Sequence, residues 1–336
     1  MSSNVIRDFK AVMLAGGSGE RFWPLSTPSR PKQFLGIFGG RSLMRQCADR
    51  LRRLAGAEGT FVVTAANLAA ATRKDLPELS AANVVGEPMR RDTGAAVALG
   101  VGLAASSDDD VIGFFPADQL VGDVPAFRRT VAAAVREARV SGRIVTIGIK
   151  PDYPSTAYGY VDPKRGGFVE KPDSKRAAAY LRRGYLWNAG IFIAKASVFR
   201  EALAAHAPAL LPLAGMHSPR SRSRARLAAF YEALPRISFD YAVMEKVGRV
   251  SVVPGDFSWD DVGSYAAFSR HFDSDGSGNI SVGDVRALDT SESLAVAKGA
   301  RITLFGVKDL VVVSSGDDVL VMSKDKAAEM KRLFAR

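Results

Sequence analysis

Short apolar runs alternate with helix-like stretches through the first half of this 336-residue chain. The runs cover residues 11–15, 61–64 and 111–115, and the helix-like stretches cover residues 42–54, 93–105 and 124–138. Continuous apolar runs are typical of strands that are buried on both faces, as in parallel sheets whose strands are joined by helices. The pattern therefore predicts a doubly wound α/β domain with a mixed, mainly parallel sheet.

The pattern changes towards the C-terminus. Asp, Ser and Gly cluster in residues 273–279, which indicates a turn or linker. Short β segments then follow at 302–305, 310–314 and 319–322. Residues 326–334 have helical character. We therefore expect a large α/β domain over residues 1–275, and a small β-rich, β-helix-like module over residues 276–336 that ends in a helix.

The net charge of +11 favours an acidic partner, because 46 Lys and Arg residues stand against 35 Asp and Glu residues. Nucleic acid, an anionic membrane and phosphorylated small molecules all fit this charge. The run Arg220, Arg222, Arg224 and Arg226 motivates the nucleic-acid alternative. Arginines that alternate with Ser and Ala, without interleaved aromatic residues, are more typical of a solvated loop. We therefore expect no nucleic-acid partner.

The chain has a single cysteine, Cys47, which cannot form an intrachain disulfide. No apolar run approaches the roughly 18 residues that a membrane-spanning helix needs. The N-terminal run 11–15 is too short for the apolar part of a signal peptide and leads into a glycine loop with charged residues. These features predict a cytoplasmic protein with no membrane partner.

A glycine-rich loop follows the first apolar run, over residues 14–19. In open α/β sheets this edge binds ligands, and glycines allow backbone N–H groups to approach phosphate oxygens. No Gly-Lys-Ser/Thr follows, and Phe22 stands at the third glycine position of a dinucleotide fingerprint, so neither of those loop classes fits. Arg21 and Lys32 supply a guanidinium and an ammonium group. Together these features predict a polyphosphate-binding loop.

The residues from Leu14 to Leu35, which read LAGGSGERFWPLS and then PKQFL, resemble the signature of the sugar-1-phosphate nucleotidylyltransferase family. The FWPLS and PKQF forms are similar to those of its mannose-1-phosphate guanylyltransferase branch. Further motifs follow in the family's order: Glu87-Pro88, Arg91-Asp92-Thr93, Pro116-Ala117-Asp118-Gln119, Tyr158-Gly159-Tyr160, Val169–Pro172, Trp187–Gly190, Ser238–Lys246 and Trp259–Ser264. The resemblance covers residues 10–265, implies a Rossmann-like catalytic domain, and extends to the C-terminal module.

This resemblance implies transfer of GMP from GTP to α-D-mannose 1-phosphate, which gives GDP-mannose and pyrophosphate with the help of Mg²⁺. The attacking sugar phosphate is largely dianionic at pH 7, because its second pKa is about 6, so the reaction needs no general base. Positioning and charge neutralisation at the α-phosphorus would supply catalysis. A manno-heptose 1-phosphate as the acceptor, and a non-catalytic relative with the same fold, are the alternatives. We further expect that the C-terminal module can form a homodimer contact.

The resemblance also assigns roles to individual residues. The nucleotide-binding residues are Leu14, Ala15, Gly16, Gly17, Ser18, Gly19, Glu87, Pro88, Arg91 and Thr93. The catalytic cations are Arg21, Lys32 and Lys171, and the sugar-binding residues are Gly159, Glu170 and Asn188. The ligands for Mg²⁺ are Asp118 and Asp261.

Three of these assignments carry a physical argument. Glu87 has a carboxylate that can accept both the N1–H and the N2–H₂ of guanine. Asp118 follows a strand and presents a hard oxygen ligand of the kind Mg²⁺ prefers. Lys171 adjoins Glu170 and would face the other way in an ideal strand, so its contact with the sugar phosphate requires the strand to end or twist there.

The chain departs from the family pattern at three places. Gln119 stands where the family often has His, Gly94-Ala95 where Ala-Pro is common, and Ala189 where Ser is usual. None of these departures removes a charged group from the proposed site.

Overall fold

The computed structural model describes residues 5–17 and 19–334, apart from the side chains of Ala328 and Lys331. Ser18 of the glycine loop therefore lies outside the described residues. The chain forms two compact units. The larger unit contains the described part of Met1–Gly16 with Met44–Ala117 and Val121–Trp259. The smaller unit contains Gly17–Leu43 apart from Ser18, Asp118–Leu120 and the described part of Asp260–Arg336.

The described strands are β1 (Phe9–Ala15), β2 (Thr60–Ala65), β3 (Val84–Glu87), β4 (Val111–Pro116), β5 (Leu120–Val121), β6 (Val145–Ile149), β7 (Tyr160–Val161), β8 (Phe168–Val169), β9 (Leu186–Lys195), β10 (Ser251–Gly255), β11 (Trp259–Asp260), β12 (Ile280–Val282), β13 (Val285–Leu288), β14 (Leu294–Lys298), β15 (Ile302–Phe305), β16 (Leu310–Ser315) and β17 (Asp318–Ser323).

The α-helices are α1 (Leu43–Ala55), α2 (Ala69–Asp75), α3 (Asp92–Ala104), α4 (Val124–Ser141), α5 (Ser174–Arg182), α6 (Ala196–His206), α7 (Arg224–Ala233) and α8 (Tyr265–Ser269). The 3₁₀ helices are Glu20–Phe22, Lys32–Phe34, Ala66–Leu68, Ala81–Asn83, Pro208–Gly215 and Lys324–Leu333, and a π-helical turn covers Asp240–Met244. None of the described helices has both the length and the apolar character of a membrane span.

The larger unit is built on one twisted sheet. Its main path runs β10-β6-β9-β4-β1-β2-β3, and β7 joins β8 to β9 at the side. β1 is parallel to both β2 and β4, whereas β9 is antiparallel to β4 and β6. This mixed, mainly parallel sheet confirms the predicted α/β fold.

Helix α3 is packed closely against this sheet. Gly94 to Ala104 are all buried, because the helix is rich in small residues and both of its faces meet other parts of the unit. A Cβ at Gly100 would lie 2.5 Å from the Phe114 ring of β4, so this crossing requires a glycine. The packing fixes the N-terminus of α3, where Asp92 and Thr93 lie, relative to the sheet.

The smaller unit contains the β-rich module. The alternate strands β12, β14 and β16 form one parallel sheet, and the strands between them, β13 and β15, form a second parallel pair, so the chain alternates between two sheets. β17 adds an antiparallel edge to β16. This alternation confirms the expected β-helix-like module. The module ends in the 3₁₀ helix Lys324–Leu333.

The segment that carries Arg21 and Lys32 belongs to the same unit as the β-rich module. Phe22 and Leu35 share an apolar core with Tyr265 of α8 and with Val296 and Val313 of the module. The boundary after residue 275 stays a prediction, but the packing of the smaller unit joins residues from both sides of it.

The basic run is only partly a loop. Arg222 donates through Nη1 to the backbone oxygens of Met216 and His217, each at 2.7 Å. α7 begins at Arg224, so the expected solvated loop ends earlier than the Ser/Arg pattern indicated. Arg220, Arg224 and Arg226 are exposed.

Candidate active site

The two N-terminal cations of the predicted site lie on short helical turns in the smaller unit. Arg21 is in the turn Glu20–Phe22, and Lys32 begins the turn Lys32–Phe34. Gly19 precedes the first turn with φ of 66°, and a Cβ there would lie 2.4 Å from the backbone N of Lys32. Only glycine fits this position, because it combines a left-handed backbone with a close approach of two backbone segments.

Lys32 forms hydrogen bonds with both predicted metal ligands. Its Nζ lies 3.0 Å from Oδ2 of Asp118 and also donates to the backbone oxygen of Asp261. A Cβ at Gly263 would lie 2.8 Å from Oδ2 of Asp261 and 3.1 Å from Nη1 of Arg21. Two cations and two carboxylates therefore converge in the smaller unit. Burial raises the pKa of the Asp261 carboxyl, and the opposing charge of Lys32 partly offsets that rise.

Asp260 holds the loop that carries Asp261. Its Oδ1 accepts from the backbone N of Val262 at 2.7 Å, and its Oδ2 lies 3.1 Å from Nη2 of Arg270 and 3.0 Å from Nε2 of His271. Val262 is buried and has φ of 45°, which is a strained conformation for a β-branched residue. The three partners of Asp260 keep the strained backbone in place next to Asp261.

The two carboxylates are compatible with a magnesium ion. Within the described residues, no group of three or more His, Cys, Asp or Glu side chains forms a candidate metal site. Mg²⁺ commonly takes only one or two protein carboxylates and completes its shell with substrate phosphates and water. Asp118 and Asp261 fit this donor set, and together they bring two negative charges to the cation cluster.

Glu87, the predicted guanine-binding residue, lies in the larger unit at the end of β3. It is 8% exposed, and the Tyr231 hydroxyl donates to its Oε1 at 3.1 Å. Burial raises the pKa of Glu87 to about 7, and the nearby charge of Asp92 adds to the rise. A Cβ at Gly16 would lie 3.3 Å from Oε2 of Glu87, so the first loop glycine lies beside this carboxylate. The larger unit therefore brings two predicted nucleotide-binding residues together.

The remaining nucleotide-binding predictions occupy several places. Leu14 and Ala15 are the last residues of β1, Pro88 follows β3, and Gln33 Nε2 donates to the backbone oxygen of Gly17 at 3.3 Å. Arg91 and Thr93 contact the segment that contains Tyr231. Arg91 donates to the backbone oxygens of Tyr231 and Glu232 at 2.6 and 2.9 Å. Thr93 Oγ1 accepts from the backbone N of Phe239 at 2.9 Å.

The three predicted sugar-binding residues meet around β7, β8 and β9 in the larger unit. The backbone N of Asn188 in β9 donates to the Gly159 oxygen at 2.8 Å. A Cβ at Gly159 would lie 2.5 Å from Oε2 of Glu170 and 3.4 Å from Cβ of Asn188. Gly159 therefore leaves the space that the Glu170 carboxylate occupies.

The predicted contact of Lys171 with the sugar phosphate requires the strand to end or twist at this residue, and the structure has that geometry. β8 ends at Val169, and Lys171 has φ of 42°, so the strand stops before the lysine. The Lys171 ammonium pairs with the Glu170 carboxylate. Partial burial opposes the charge on Lys171, but the Glu170 carboxylate outweighs it, so the pKa of Lys171 is raised. The contact of Lys171 with a sugar phosphate stays a prediction.

Two acidic residues complete this cluster, although sequence reasoning gave them no role. Asp240 Oδ1 accepts from Asn188 Nδ2 at 3.1 Å, and Glu245 Oε1 accepts from the backbone N of Glu170 at 2.8 Å. Burial and the Glu170 charge raise the pKa of Asp240 to about 7. Both residues lie in the motif Ser238–Lys246, so the motif itself was the available signal. Tyr231, by contrast, lies outside every quoted motif.

Comparison with known protein families shows the family to which the chain belongs. A family model described as nucleotidyl transferase matches residues 10–277. The chain belongs to the nucleotidyl transferase family. A second model, described as MannoseP isomerase/GMP-like beta-helix domain, matches residues 283–336. These two matches correspond to the α/β sheet and the β-rich module.

Curated relatives indicate the branch of the family to which this nucleotidyl transferase is similar. It is 33% identical over 341 residues to the alginate biosynthesis protein AlgA of Pseudomonas aeruginosa, covering 96% of this chain and 70% of AlgA. It is also 33% identical over 343 residues to a mannose-1-phosphate guanylyltransferase of Escherichia coli, covering 96% of this chain and 71% of that protein.

A solved structure supports the same placement. The crystal structure described as mannose-1-phosphate geranyltransferase from Thermus thermophilus superposes with a TM-score of 0.87 at 38% identity, covering 98% of this chain and 100% of that one. The family and its relatives make this nucleotidyl transferase a sugar-1-phosphate nucleotidyltransferase.

Proposed function

We propose that this enzyme transfers GMP from GTP to α-D-mannose 1-phosphate and forms GDP-mannose and pyrophosphate. The observation that carries the proposal is the buried carboxylate of Glu87 beside Gly16 of the glycine loop. Guanine presents two neighbouring donors, N1–H and N2–H₂, and a carboxylate is the side chain that can accept both. The name of the Escherichia coli relative supports mannose 1-phosphate as the acceptor.

The reaction is an in-line displacement at the α-phosphorus of GTP. A phosphate oxygen of the sugar phosphate forms the new P–O bond, the bond to the β-phosphate oxygen breaks, and pyrophosphate leaves with its electron pair. Because the nucleophile is largely dianionic at pH 7, no side chain needs to remove a proton. Arg21 and Lys32 neutralise charge on the triphosphate, and their convergence in the smaller unit supports this role.

Asp118 and Asp261 would hold Mg²⁺, which neutralises phosphate charge when it is bound. Lys32 keeps these two acidic residues together through its contacts with Oδ2 of Asp118 and the backbone oxygen of Asp261. Asp260 orients the Asp261 backbone through its bond to the N–H of Val262. The protein thereby prepares the carboxylates before any substrate binds.

Glu170, Asn188 and Gly159 would bind the sugar. The Glu170 carboxylate accepts hydrogen bonds from sugar hydroxyls, and Lys171 beside it neutralises the attacking phosphate. Asn188 is oriented by its own bonds, because Thr146 Oγ1 donates to its Oδ1 at 2.8 Å while its Nδ2 donates to Asp240. These fixed polar groups favour an acceptor with several hydroxyls.

We also propose that the enzyme acts in the cytoplasm on small phosphorylated substrates, without a nucleic-acid or membrane partner. The single cysteine, Cys47, is buried and forms no disulfide, and a free thiol is typical of proteins in a reducing compartment. A homodimer through residues 276–336 stays a prediction. Its support is the edge strand β17, on which Val319 and Val321 are exposed.

A pyrophosphate-release assay with purified protein tests the proposed reaction. We expect release from GTP with mannose 1-phosphate and Mg²⁺, and much less when ATP, UTP or dTTP replaces GTP. Glucose 1-phosphate and a manno-heptose 1-phosphate serve as alternative acceptors in parallel assays. The absence of pyrophosphate from GTP and mannose 1-phosphate would overturn the proposal, and a higher kcat/KM with the heptose would favour that alternative acceptor.

A further inference from the structure

We propose that Tyr231 is a positioning residue for guanine selection, which acts by orienting the Glu87 carboxylate towards the base. The inference rests on the proposed function, because it concerns the same guanine-binding residue. Tyr231 lies 144 residues away from Glu87 in the chain and belongs to helix α7. Its hydroxyl contacts no assigned phosphate-binding or sugar-binding residue in the described hydrogen bonds, so its contribution passes through Glu87.

The two oxygens of Glu87 have different surroundings. Oε1 accepts the hydrogen bond from the Tyr231 hydroxyl at 3.1 Å. Oε2 lies on the side of Gly16, where a Cβ would come within 3.3 Å of it. Tyr231 therefore fixes the rotation of the carboxylate. Oε2 is available to the N1–H of guanine, and the second lone pair of Oε1 is available to the 2-amino group.

Arg91 holds Tyr231 in place. Tyr231 and Glu232 are in the last turn of α7, where the Tyr231 backbone oxygen also accepts from the backbone N of Leu234 at 3.3 Å. The Arg91 guanidinium supplies donors to the backbone oxygens of Tyr231 and Glu232, at 2.6 and 2.9 Å. The backbones of Arg91 and Gly94 bond to Ile237 at 3.3 and 3.1 Å, which fastens the following segment to the start of α3. These bonds fix the backbone on both sides of the tyrosine, whose side chain is fully buried.

The hydroxyl also favours the ionised form of the carboxylate, which is the form that guanine needs. Burial and the charge of Asp92 favour the protonated acid, whereas the hydrogen bond from Tyr231 favours the carboxylate. A protonated carboxyl presents one donor to a base edge that consists of donors. Removing the hydroxyl therefore weakens guanine binding in two ways, because it frees the rotation of Glu87 and favours its protonation.

Tyr231→Phe tests this role, because it keeps the buried ring and removes only the hydroxyl. We expect the KM for GTP to rise about tenfold, with kcat within about twofold of wild type. ITP lacks the 2-amino group, so the ratio of kcat/KM for GTP to that for ITP should fall. The pH of half-maximal kcat/KM for GTP should rise. Tyr160→Phe is the matched control, since Tyr160 is equally buried and its hydroxyl donates to the Ser155 oxygen at 3.0 Å.

A double-mutant cycle separates orientation of Glu87 from a general structural effect. Adding Tyr231→Phe to Glu87→Gln should cause little further loss of GTP affinity in calorimetric titrations. An equal loss in both backgrounds, or an unchanged GTP to ITP ratio in the single variant, would overturn the inference. A wild-type enzyme that does not use GTP would instead overturn the proposed function, and the role of Tyr231 with it.

Discussion

Lys32 Nζ lies 3.0 Å from Oδ2 of Asp118, although the two residues are 86 positions apart in the chain. The lysine side chain is 8% exposed and that of the aspartate 35%, so the pair is shielded mainly on the lysine side. An ammonium group that is buried in this way needs a negative partner, and Asp118 supplies it. The ion pair therefore stabilises the local structure, and both of its members also belong to the proposed phosphate site.

Asp118→Asn should abolish turnover, because it removes one of the two carboxylates available to Mg²⁺ and breaks the ion pair with Lys32. We expect a loss of at least about 100-fold in pyrophosphate release and weaker Mg²⁺ binding by calorimetry. Asp109→Asn is the control, since Asp109 forms an ion pair with Lys195 at an exposed position. Near-normal turnover of Asp118→Asn with Mg²⁺ would refute the metal assignment.

Gly263→Ala should reduce turnover at least about tenfold while changing the melting temperature little. The new methyl group would meet Oδ2 of Asp261 and Nη1 of Arg21, and both are side-chain ends that can move. Their displacement would disturb charge neutralisation without a backbone clash. Gly276→Ala is the matched control, since a Cβ there meets nothing within 4 Å. Equal activities of the two variants would contradict the placement of Arg21 and Asp261.

Gly159→Ala should raise the KM for the sugar phosphate and leave the KM for GTP nearly unchanged. A Cβ at this position would lie 2.5 Å from Oε2 of Glu170, so the carboxylate must rotate away from its present position. Steady-state kinetics with each substrate varied in turn measure the effect. Gly167→Ala is the matched control and should behave like wild type, because its new methyl group would lie in open space. A rise confined to the KM for GTP would show that this cluster binds the nucleotide instead.

The raised pKa of Glu87, about 7, predicts a pH-dependent affinity for GTP. The group is an acid, so it is mostly ionised above that pH and mostly protonated below it. We expect kcat/KM for GTP to fall as the pH drops through about 7, approaching tenfold per unit. Glu87→Gln should lose this component and keep only the titration of the substrate phosphates. Identical profiles for the two enzymes would contradict the assignment.

Asp260→Ala should lower the free energy of unfolding by about 2 kcal/mol, because it leaves the buried N–H of Val262 unpaired, removes the contacts with Arg270 and His271 and releases the strained loop. Chemical denaturation measures the change. Asp284→Ala removes a carboxylate from an exposed pair with Arg301, and its expected cost is below about 0.5 kcal/mol. Similar losses for the two variants would show that Asp260 does not hold the loop.

Local patterns were sufficient to predict three parallel strands of the central sheet. The apolar runs 11–15, 61–64 and 111–115 correspond to β1, β2 and β4, whose observed bounds differ by at most two residues. A strand buried on both faces needs apolar residues at every position, and this requirement is visible within a few residues of sequence. β3 was missed, because its four residues Val84–Glu87 include a glycine and a glutamate and make no apolar run.

The sequence by itself determined the α/β class, the family and the residue types of the site, because periodicity and contiguous motifs are local properties of the chain. Only the tertiary structure decided that Tyr231 contacts Glu87, that Asp240 contacts Asn188, and that Lys32 joins Asp118 to Asp261. Each of these contacts joins residues more than 50 positions apart. Their formation depends on how the sheet, the helices and the loops pack, and no local pattern in the chain records that packing.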